Sequence, residues 1–484
     1  MTKKIESLIA RSYLWMGVGS MISRALSFVS TLILAGILVP DDFGVVSIAT
    51  LISATLGLFR DFGLNQALIY QRDHIEEASD TALIVSAGIS LIMYVIAVLL
   101  SNPAAVFFHN ESIGYVVRVL PLTLVISSLY TIQISLMEKE MDFKRRILPE
   151  MLSYLTFFIV SITLAMCGFA FWSIIFGILA QELVTLVVVF FLSTWHPTFR
   201  FSRAILSELF SFGKFIMLNS LILFIYRNID DFFIGRLLGT TPLGHYSLAY
   251  RIGSIPATNI THITGKVTYP TIMKMRDDHQ SAVSFYFTVY RYLSLMILPL
   301  GIATIVLIGP FFHLFFGDKW NEAILLTQIL AVFGIFRGMF SNISYLFILL
   351  GRIREMTVIL SLQLACLVFL IYPVTIRYEA PGVCVLLVVL NVLVITVYIG
   401  RLSLFLPGLI QNHLRLAAFP LCASLLSFIL PGYLFSLYVD EHSLVSLVSL
   451  VLCSGMLYLA SIYIHDRTII KEIKSFLFSF MEQP

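Results

Sequence analysis

The chain has little charge for its length. Of its 484 residues, 12% are charged and 59% are hydrophobic, and an average soluble protein carries about 25% charged residues. A water-soluble globular protein cannot bury so much apolar surface, and intrinsic disorder or a collagen-like chain is excluded by the same composition. The sequence therefore predicts a polytopic membrane protein.

Residue patterns for catalysis, metal binding or nucleotide binding are also missing. The five cysteines fall in or beside apolar segments without CxxC spacing, which is typical of small packing residues. The ten histidines show no HExxH spacing, and neither a Walker loop nor a GxGxxG motif is present. The sequence thus predicts no enzyme activity, no metal site, no cofactor and no ATP-driven transport by this chain. Coupling to a proton or sodium gradient stays open.

The apolar runs are about 20 residues long and do not alternate with polar residues, which indicates transmembrane helices rather than barrel strands. They leave only short connectors, with no room for a soluble catalytic domain. We count fourteen candidate spans, at about 13–37, 43–59, 80–101, 116–137, 148–167, 169–193, 212–235, 243–265, 285–309, 322–350, 356–376, 380–400, 411–435 and 442–464.

The basic residues set the orientation of these spans. If the N-terminus is cytoplasmic, 22 of the 31 basic residues fall in inward segments and three in outward loops. This asymmetry is a positive-inside signal, and it predicts cytoplasmic N- and C-termini with an even number of spans.

Six basic residues remain inside the spans, and all six are arginines. Arg118 and Arg291 lie near span ends, where snorkelling to the headgroups explains them. The other four are nearer mid-span, where each opposes insertion by roughly 2.5–3.5 kcal/mol. These four are Arg24, Arg227, Arg251 and Arg337.

Each mid-span arginine needs a compensating partner or an aqueous cavity. Arg227 has Asp230 and Asp231 three and four residues later, so a structural ion pair is one interpretation. An inter-helix pair with Glu182 could neutralise one of the others. The rest would then point into a water-filled cavity with a positive field, and such a cavity favours an anion.

An internal repeat organises the chain. Residues 33–49 align with 233–249 at an offset of 200, with Gly44/Gly244 and Ser47/Ser247 among the identities. Both copies cover an outward turn between two spans, and six spans separate them, so the repeat is parallel, as in some transporters. We place a six-helix lobe at 1–200, a second at 201–405, and an appended helix pair with a cytoplasmic tail at 406–484.

Three segments carry a family resemblance. Residues 34–69 (LAGILVPDDFGVVSIATLISATLGLFRDFGLNQALI), residues 227–256 (RNIDDFFIGRLLGTTPLGHYSLAYRIGSIP) and residues 315–320 (FFGDKW) resemble signatures of Wzx-type polysaccharide flippases. The overall look is similar to colanic-acid and teichuronic-acid exporters, in the superfamily (the MOP exporters) that also holds multidrug extruders and the lipid II flippase. The resemblance covers essentially the whole chain and implies a fold of fourteen helices.

The resemblance implies a function and a location. Such a protein moves an undecaprenyl-diphosphate-linked oligosaccharide repeat unit from the cytoplasmic to the periplasmic leaflet of the bacterial inner membrane, for exopolysaccharide, O-antigen or capsule biosynthesis. Membrane lipid is a further expected partner, a polysaccharide polymerase and export machinery are candidate partners, and nucleic acid is not expected.

The resemblance also implies diphosphate-binding residues. The helix-one Ser-Arg of the lipid II flippase resembles Ser23-Arg24 here, its helix-two arginine matches Arg60 best, and its helix-eight arginine, which precedes a proline, matches Arg251. We add Arg337 and Arg227 as cavity residues from their mid-span positions. The candidate coupling residues are acidic and lie in or at the ends of spans: Asp61, Asp230, Asp231 and Glu182.

Two other functions stay open. The first is antiport of another small molecule by a multidrug-extruder-like protein, although a cation carrier would need acidic groups in its cavity. The second is an integral glycan polymerase or glycosyltransferase, which would need outward catalytic carboxylates. The acidic pairs clearly in outward loops, Asp41-Asp42 and Asp440-Glu441, are expected to be solvated turn residues.

Overall fold

The structure, a computed structural model, describes residues 2–61, 63–70, 74–140, 142–438 and 443–465. These residues form helices joined by short turns, and no strand occurs among them. Eleven helices in the described ranges are long and apolar enough to cross a membrane. In a helix the backbone N–H and C=O groups form hydrogen bonds with each other, and lipid offers them no other partner. The prediction of an all-helical, multi-pass membrane protein is therefore confirmed.

The chain forms two compact units, residues 1–247 and 248–484. The first unit contains α1 Thr2–Ile37, α2 Pro40–Asp61, α3 Leu64–Tyr70, α4 Ile75–Phe107, α5 Glu111–Val119, α6 Leu122–Ser128, α7 Thr131–Lys139, α8 Phe143–Met166, α9 Phe171–Leu192 and α10 Arg203–Leu237. Helix α11, Thr240–Gly253, runs across the boundary. The second unit contains α12 Ile255–Lys274, α13 His279–Phe315, a 3₁₀ turn at Asp318–Trp320, α14 Asn321–Met339, α15 Ser344–Leu349, α16 Ile353–Ser403, α17 Leu409–Tyr438 and α18 Leu444–His465. The boundaries at 200 and 405, and the two-lobe arrangement, stay predictions.

Eleven long apolar helices in the described ranges are fewer than the fourteen predicted spans, and two observations account for the difference. Helices α10, α11 and α12 are not among the eleven long apolar helices found in the described ranges. Helix α16 counts once although Glu379 interrupts it with a φ of 52°. That break falls between the two spans predicted at 356–376 and 380–400.

The two copies of the sequence repeat have the same local structure. Helix α1 ends at Ile37 and α2 begins at Pro40, while α10 ends at Leu237 and α11 begins at Thr240, so both breaks lie 200 residues apart. The copies also touch each other within the first unit, because the hydroxyls of Ser47 and Ser247 are 2.8 Å apart. We call this contact between residues 40–47 and 240–247 the repeat contact.

Asp41 and Asp42 belong to this region, and the expectation that they are solvated turn residues is wrong. Asp42 is 8% exposed. It accepts hydrogen bonds from the backbone N–H groups of Val39, at 3.2 Å, and Phe171, at 3.0 Å. Asp41 accepts hydrogen bonds from the hydroxyls of Thr240 and Thr241. Turn sequence suggested exposure, but α9 contacts the Asp42 carboxylate, which is buried, and the second repeat copy contacts that of Asp41, which is half-buried. Asp440 and Glu441 lie outside the described residues.

Two glycines make the repeat contact close. A Cβ atom on Gly44 would overlap the carbonyl oxygen of Thr240, and one on Gly244 would overlap the carbonyl oxygen of Pro40. Backbone atoms cannot move aside as a side chain can. The two identical glycines of the repeat are therefore explained by mutual close approach.

Gly44→Ala is expected to destabilise the protein by about 1–3 kcal/mol, because the added methyl group forces the two helix ends apart. Gly88→Ala is the matched control, since a Cβ there meets nothing within 4 Å inside α4. The control should be neutral or slightly stabilising. Apparent melting temperatures of the purified proteins in detergent test this, and equal values for both variants would contradict the close contact.

Candidate functional site

Arg60 is held between two helices of the first unit. It lies in the last turn of α2, and its side chain is 9% exposed. Its guanidinium donates to the hydroxyl of Ser127 and to the carbonyl oxygen of Leu124, which is 3.5 Å away. Both acceptors belong to α6. Arg60 is thus an anchored cation rather than a side chain that extends into solvent.

Glu182 of α9 lies near this arginine. Tyr130 donates a hydrogen bond to the Glu182 carboxylate at 2.6 Å, and the charges of Arg60 and Glu182 interact. A carboxylate in an apolar span is costly unless a cation or donor compensates it. The structure therefore brings Glu182 near Arg60, which was not among the arginines for which the sequence suggested it as a partner.

Arg24 and Glu182 both lie near Tyr154. Helix α1 packs closely on α8, where a Cβ on Gly19 would meet the side chain of Ile147. The charged groups of Glu150, Arg24, Glu182 and Arg146 all lie within electrostatic range of the Tyr154 hydroxyl on α8. Arg24 itself is exposed. We call Arg24, Arg60, Tyr130, Tyr154 and Glu182 the first-unit cluster.

The acidic residues proposed for coupling are in different environments. Asp230 is 5% exposed and accepts a hydrogen bond from the hydroxyl of Tyr246, a partner that the helical spacing to Arg227 did not suggest. Asp231 is half-buried and Arg227 is exposed. The side chain of Asp61 lies outside the described residues. Glu182 is thus a coupling candidate that lies near a predicted substrate-binding arginine, Arg60.

The second unit contains a comparable arrangement around Arg337. Its guanidinium donates to the hydroxyl of Tyr250 at 2.9 Å and lies 5.7 Å from the centre of the Phe333 ring. Arg251 follows Tyr250 in the last turn of α11 and is exposed. We call Tyr250, Arg251, Phe333 and Arg337 the second-unit cluster.

Two more glycines bring α11 and α14 together in this cluster. A Cβ on Gly253 would lie 2.9 Å from the backbone of Leu330, and one on Gly334 would lie 2.5 Å from the carbonyl oxygen of Gly253. Arg251 precedes one of these glycines by two residues, and Arg337 follows the other by three. Close backbone packing therefore sets the positions of both arginines.

The two clusters have the same arrangement of arginines, and this arrangement suits anion binding. Each has one arginine whose guanidinium is anchored by a hydroxyl, Arg60 or Arg337, and one that is exposed, Arg24 or Arg251. Guanidinium groups bind phosphate oxygens with paired, charge-assisted hydrogen bonds. Anchoring reduces the conformational entropy lost on binding, so both clusters are suited to bind an anionic phosphate group.

Sequence reasoning missed the hydrogen-bond partners of the charged side chains. Ser127 and Tyr250 accept from arginines and Tyr130 donates to Glu182, yet all three lie in apolar segments and were not predicted to matter. A signal did exist, because a buried tyrosine hydroxyl usually requires a hydrogen-bond partner. The sequence does not indicate which partner, since Tyr250 and Arg337 are 87 positions apart.

Comparison with known proteins gives the chain a family. The family described as "Polysaccharide biosynthesis protein" matches residues 33–325, more than half of the chain. An uncharacterised membrane protein of the cps region of Klebsiella pneumoniae is 23% identical over 479 residues, which cover 98% of each chain. The lipopolysaccharide biosynthesis protein WzxC of Escherichia coli strain K12 is 26% identical over 346 residues, covering 70% of this chain and 69% of WzxC.

The fold is also that of a solved transporter. The lipid II flippase MurJ, in an inward closed conformation, superposes with a TM-score of 0.72 at 14% identity, covering 94% of this chain and all of that chain. At this identity the likeness concerns the fold alone. With the match over residues 33–325, the resemblance to polysaccharide flippases is confirmed, and the chain belongs to the polysaccharide biosynthesis protein family.

Proposed function

We propose that this protein is a flippase for lipid-linked oligosaccharides. It moves an undecaprenyl-diphosphate-linked repeat unit across the bacterial inner membrane by alternating access, as a secondary transporter and not as an enzyme. Its family membership and its fold, shared with a lipid II flippase, support this function. The relative WzxC, named for lipopolysaccharide biosynthesis, supports a glycan as cargo.

The observation that carries the proposal is the pair of arginine clusters in an apolar protein. Arginines within spans are costly to insert. Each unit nevertheless has one anchored guanidinium, Arg60 or Arg337, and one exposed guanidinium, Arg24 or Arg251. We propose that Arg24, Arg60 and Arg251 contact the diphosphate during transport, while Arg337 and Arg227 shape the local field. A diphosphate carries the charge and oxygen atoms that such groups bind.

The remaining features of the proposal follow from charge. The excess of basic residues in alternate loops supports cytoplasmic termini. Glu182, next to Arg60, is the foremost candidate to couple transport to a proton or sodium gradient, with Asp61, Asp230 and Asp231 as the others. A polysaccharide polymerase and export machinery are the proposed partners on the periplasmic side.

A deletion strain tests the function. If the protein is a flippase, the lipid-linked repeat unit accumulates in the cytoplasmic leaflet, and surface polysaccharide is lost. If the repeat unit instead reaches the periplasm without being polymerised, the flippase proposal fails and a glycan polymerase is favoured. Normal surface polysaccharide with increased drug sensitivity would favour antiport of another molecule.

Tyr250→Phe is expected to lower export by about tenfold or more, because loss of the hydroxyl removes a hydrogen bond to the Arg337 guanidinium, and a hydrogen bond to a charged group contributes about 1.5–3 kcal/mol. Tyr269→Phe is the control, since Tyr269 is an exposed tyrosine of α12 in the same unit. Complementation of the deletion strain at matched protein levels measures both. Equal export by the two variants would show that the Tyr250 hydrogen bond has no role in transport.

A further inference from the structure

A basic cavity lies in the second unit, and none of the residues of the second-unit cluster lines it. It has a volume of about 510 Å³, and Arg291 of α13, Arg415 of α17 and His465 of α18 contribute its polar groups. Its apolar lining includes Leu295, Phe419 and Pro420. No Asp or Glu is among the described residues that line it.

Contacts beside the cavity hold together the two helix segments that carry the arginines. The hydroxyl of Tyr286 lies 2.9 Å from Nε2 of His413, and Nδ1 of His413 lies 2.8 Å from the carbonyl oxygen of Leu409. If Nδ1 donates to that carbonyl oxygen, Nε2 accepts from the tyrosine. The ring of Tyr290 packs edge-on against His413 with centroids 4.6 Å apart. Arg291 follows Tyr290, and Arg415 lies two residues after His413, so this packing sets where both arginines enter the cavity.

The walls of the cavity are fixed as well. Tyr458 of α18 donates a hydrogen bond to the backbone carbonyl of Leu295 at 2.8 Å. The imidazole of His465 stacks on Phe419 with ring centroids 3.7 Å apart and planes tilted by 12°. Three helices therefore surround a preformed space with cationic groups on an apolar floor.

We propose that this cavity binds the phosphate of an anionic membrane phospholipid. Basic pockets between transmembrane helices on the cytoplasmic side of a membrane bind anionic lipid headgroups, and the predicted topology places Arg415 on that side. The two arginines contact the phosphodiester, and Leu295, Phe419 and Pro420 contact the glycerol and the first acyl carbons. A free phosphate ion would use the cations but gain nothing from the apolar lining.

Native mass spectrometry of the full-length detergent-purified protein tests the proposal. Phosphatidylglycerol, phosphatidylcholine and inorganic phosphate are titrated separately. The wild-type protein is expected to retain phosphatidylglycerol at least about tenfold better than phosphatidylcholine. The double variant Arg291→Gln/Arg415→Gln loses about tenfold in phosphatidylglycerol retention. Inorganic phosphate does not displace the lipid at equal concentration.

Two controls separate binding from folding. Arg291→Lys/Arg415→Lys keeps the charges and should retain most of the lipid binding. Arg276→Gln removes an exposed arginine that pairs with Asp277, 3.7 Å away, and should bind as the wild type does. Equal retention of the two lipids, or unchanged retention by the glutamine double variant, overturns the proposal. Displacement by inorganic phosphate would make free phosphate the ligand and also overturn it. The readout is independent of transport, so its failure leaves the flippase proposal untouched.

Discussion

Arg251→Ala is expected to abolish export of surface polysaccharide at normal protein levels. The Arg251 side chain is exposed in the last turn of α11, one residue after Tyr250, whose hydroxyl accepts a hydrogen bond from Arg337. Loss of charge-assisted hydrogen bonds to a diphosphate costs about 1.5–3 kcal/mol each, so two bonds lower transport by at least about 100-fold. Arg251→Lys keeps the charge but cannot bind two oxygens with one planar group, and it should be clearly impaired.

The control for this experiment is Arg276→Ala, which removes an exposed arginine of the same unit outside both clusters. It should export normally. Each variant is quantified by surface polysaccharide per cell and by its level in the membrane fraction. Full export by Arg251→Ala would rule out a role of this residue in diphosphate binding.

Cross-linking of the repeat contact is the second large effect that we expect. Ser47 of α2 and Ser247 of α11 carry hydroxyls 2.8 Å apart, in helices that begin at turns the predicted topology places outside. If the protein works by the alternating access that we propose, this end opens to release the oligosaccharide, and the repeat contact is expected to separate. Ser47→Cys/Ser247→Cys, in a background without the five native cysteines, should form a disulfide on oxidation and lose nearly all export.

This loss should be reversed when a reductant is added, which separates a locked contact from misfolding. Each single cysteine variant provides the control, because it cannot form the intramolecular bridge. Undiminished export by the quantitatively oxidised double variant would show that the repeat contact does not open during transport.

Much of the fold could be predicted because lipid imposes strong local rules. Apolar runs of about 20 residues can only be helices, and helices occur at these runs throughout the described ranges. The repeat was visible because both copies need glycine where backbones meet, at Gly44 and Gly244. The count of fourteen spans stays a prediction, because α10, α11 and α12 are not among the eleven long apolar helices of the described ranges.

The arginines of the site could be predicted, but their partners could not. An arginine within an apolar run is visible at one position, whereas its hydrogen bond joins distant positions, as between Tyr250 and Arg337 or Arg60 and Ser127. Helical spacing suggested Asp230 as a partner of Arg227, and tertiary packing brings the hydroxyl of Tyr246 into a hydrogen bond with Asp230. Local spacing thus lists candidate partners, and tertiary packing selects among them.

The basic cavity illustrates the same limit. Snorkelling was a sufficient explanation of Arg291 from sequence, and Arg415 was a single charge at the end of a span. Only the packing of α13, α17 and α18 brings both to one cavity with His465. No periodicity within one helix could have indicated this convergence.

Reconstitution of the purified protein tests the central claim most directly. Proteoliposomes are loaded with a fluorescent oligosaccharide linked to a prenyl diphosphate, and a membrane-impermeant quencher reports the leaflet that holds it. The account predicts that the wild-type protein transfers the intact lipid between leaflets, and that Arg251→Ala transfers it no faster than protein-free liposomes. Wild-type transfer at the protein-free rate under proton and sodium gradients, or cleavage or elongation of the glycan, would contradict the account.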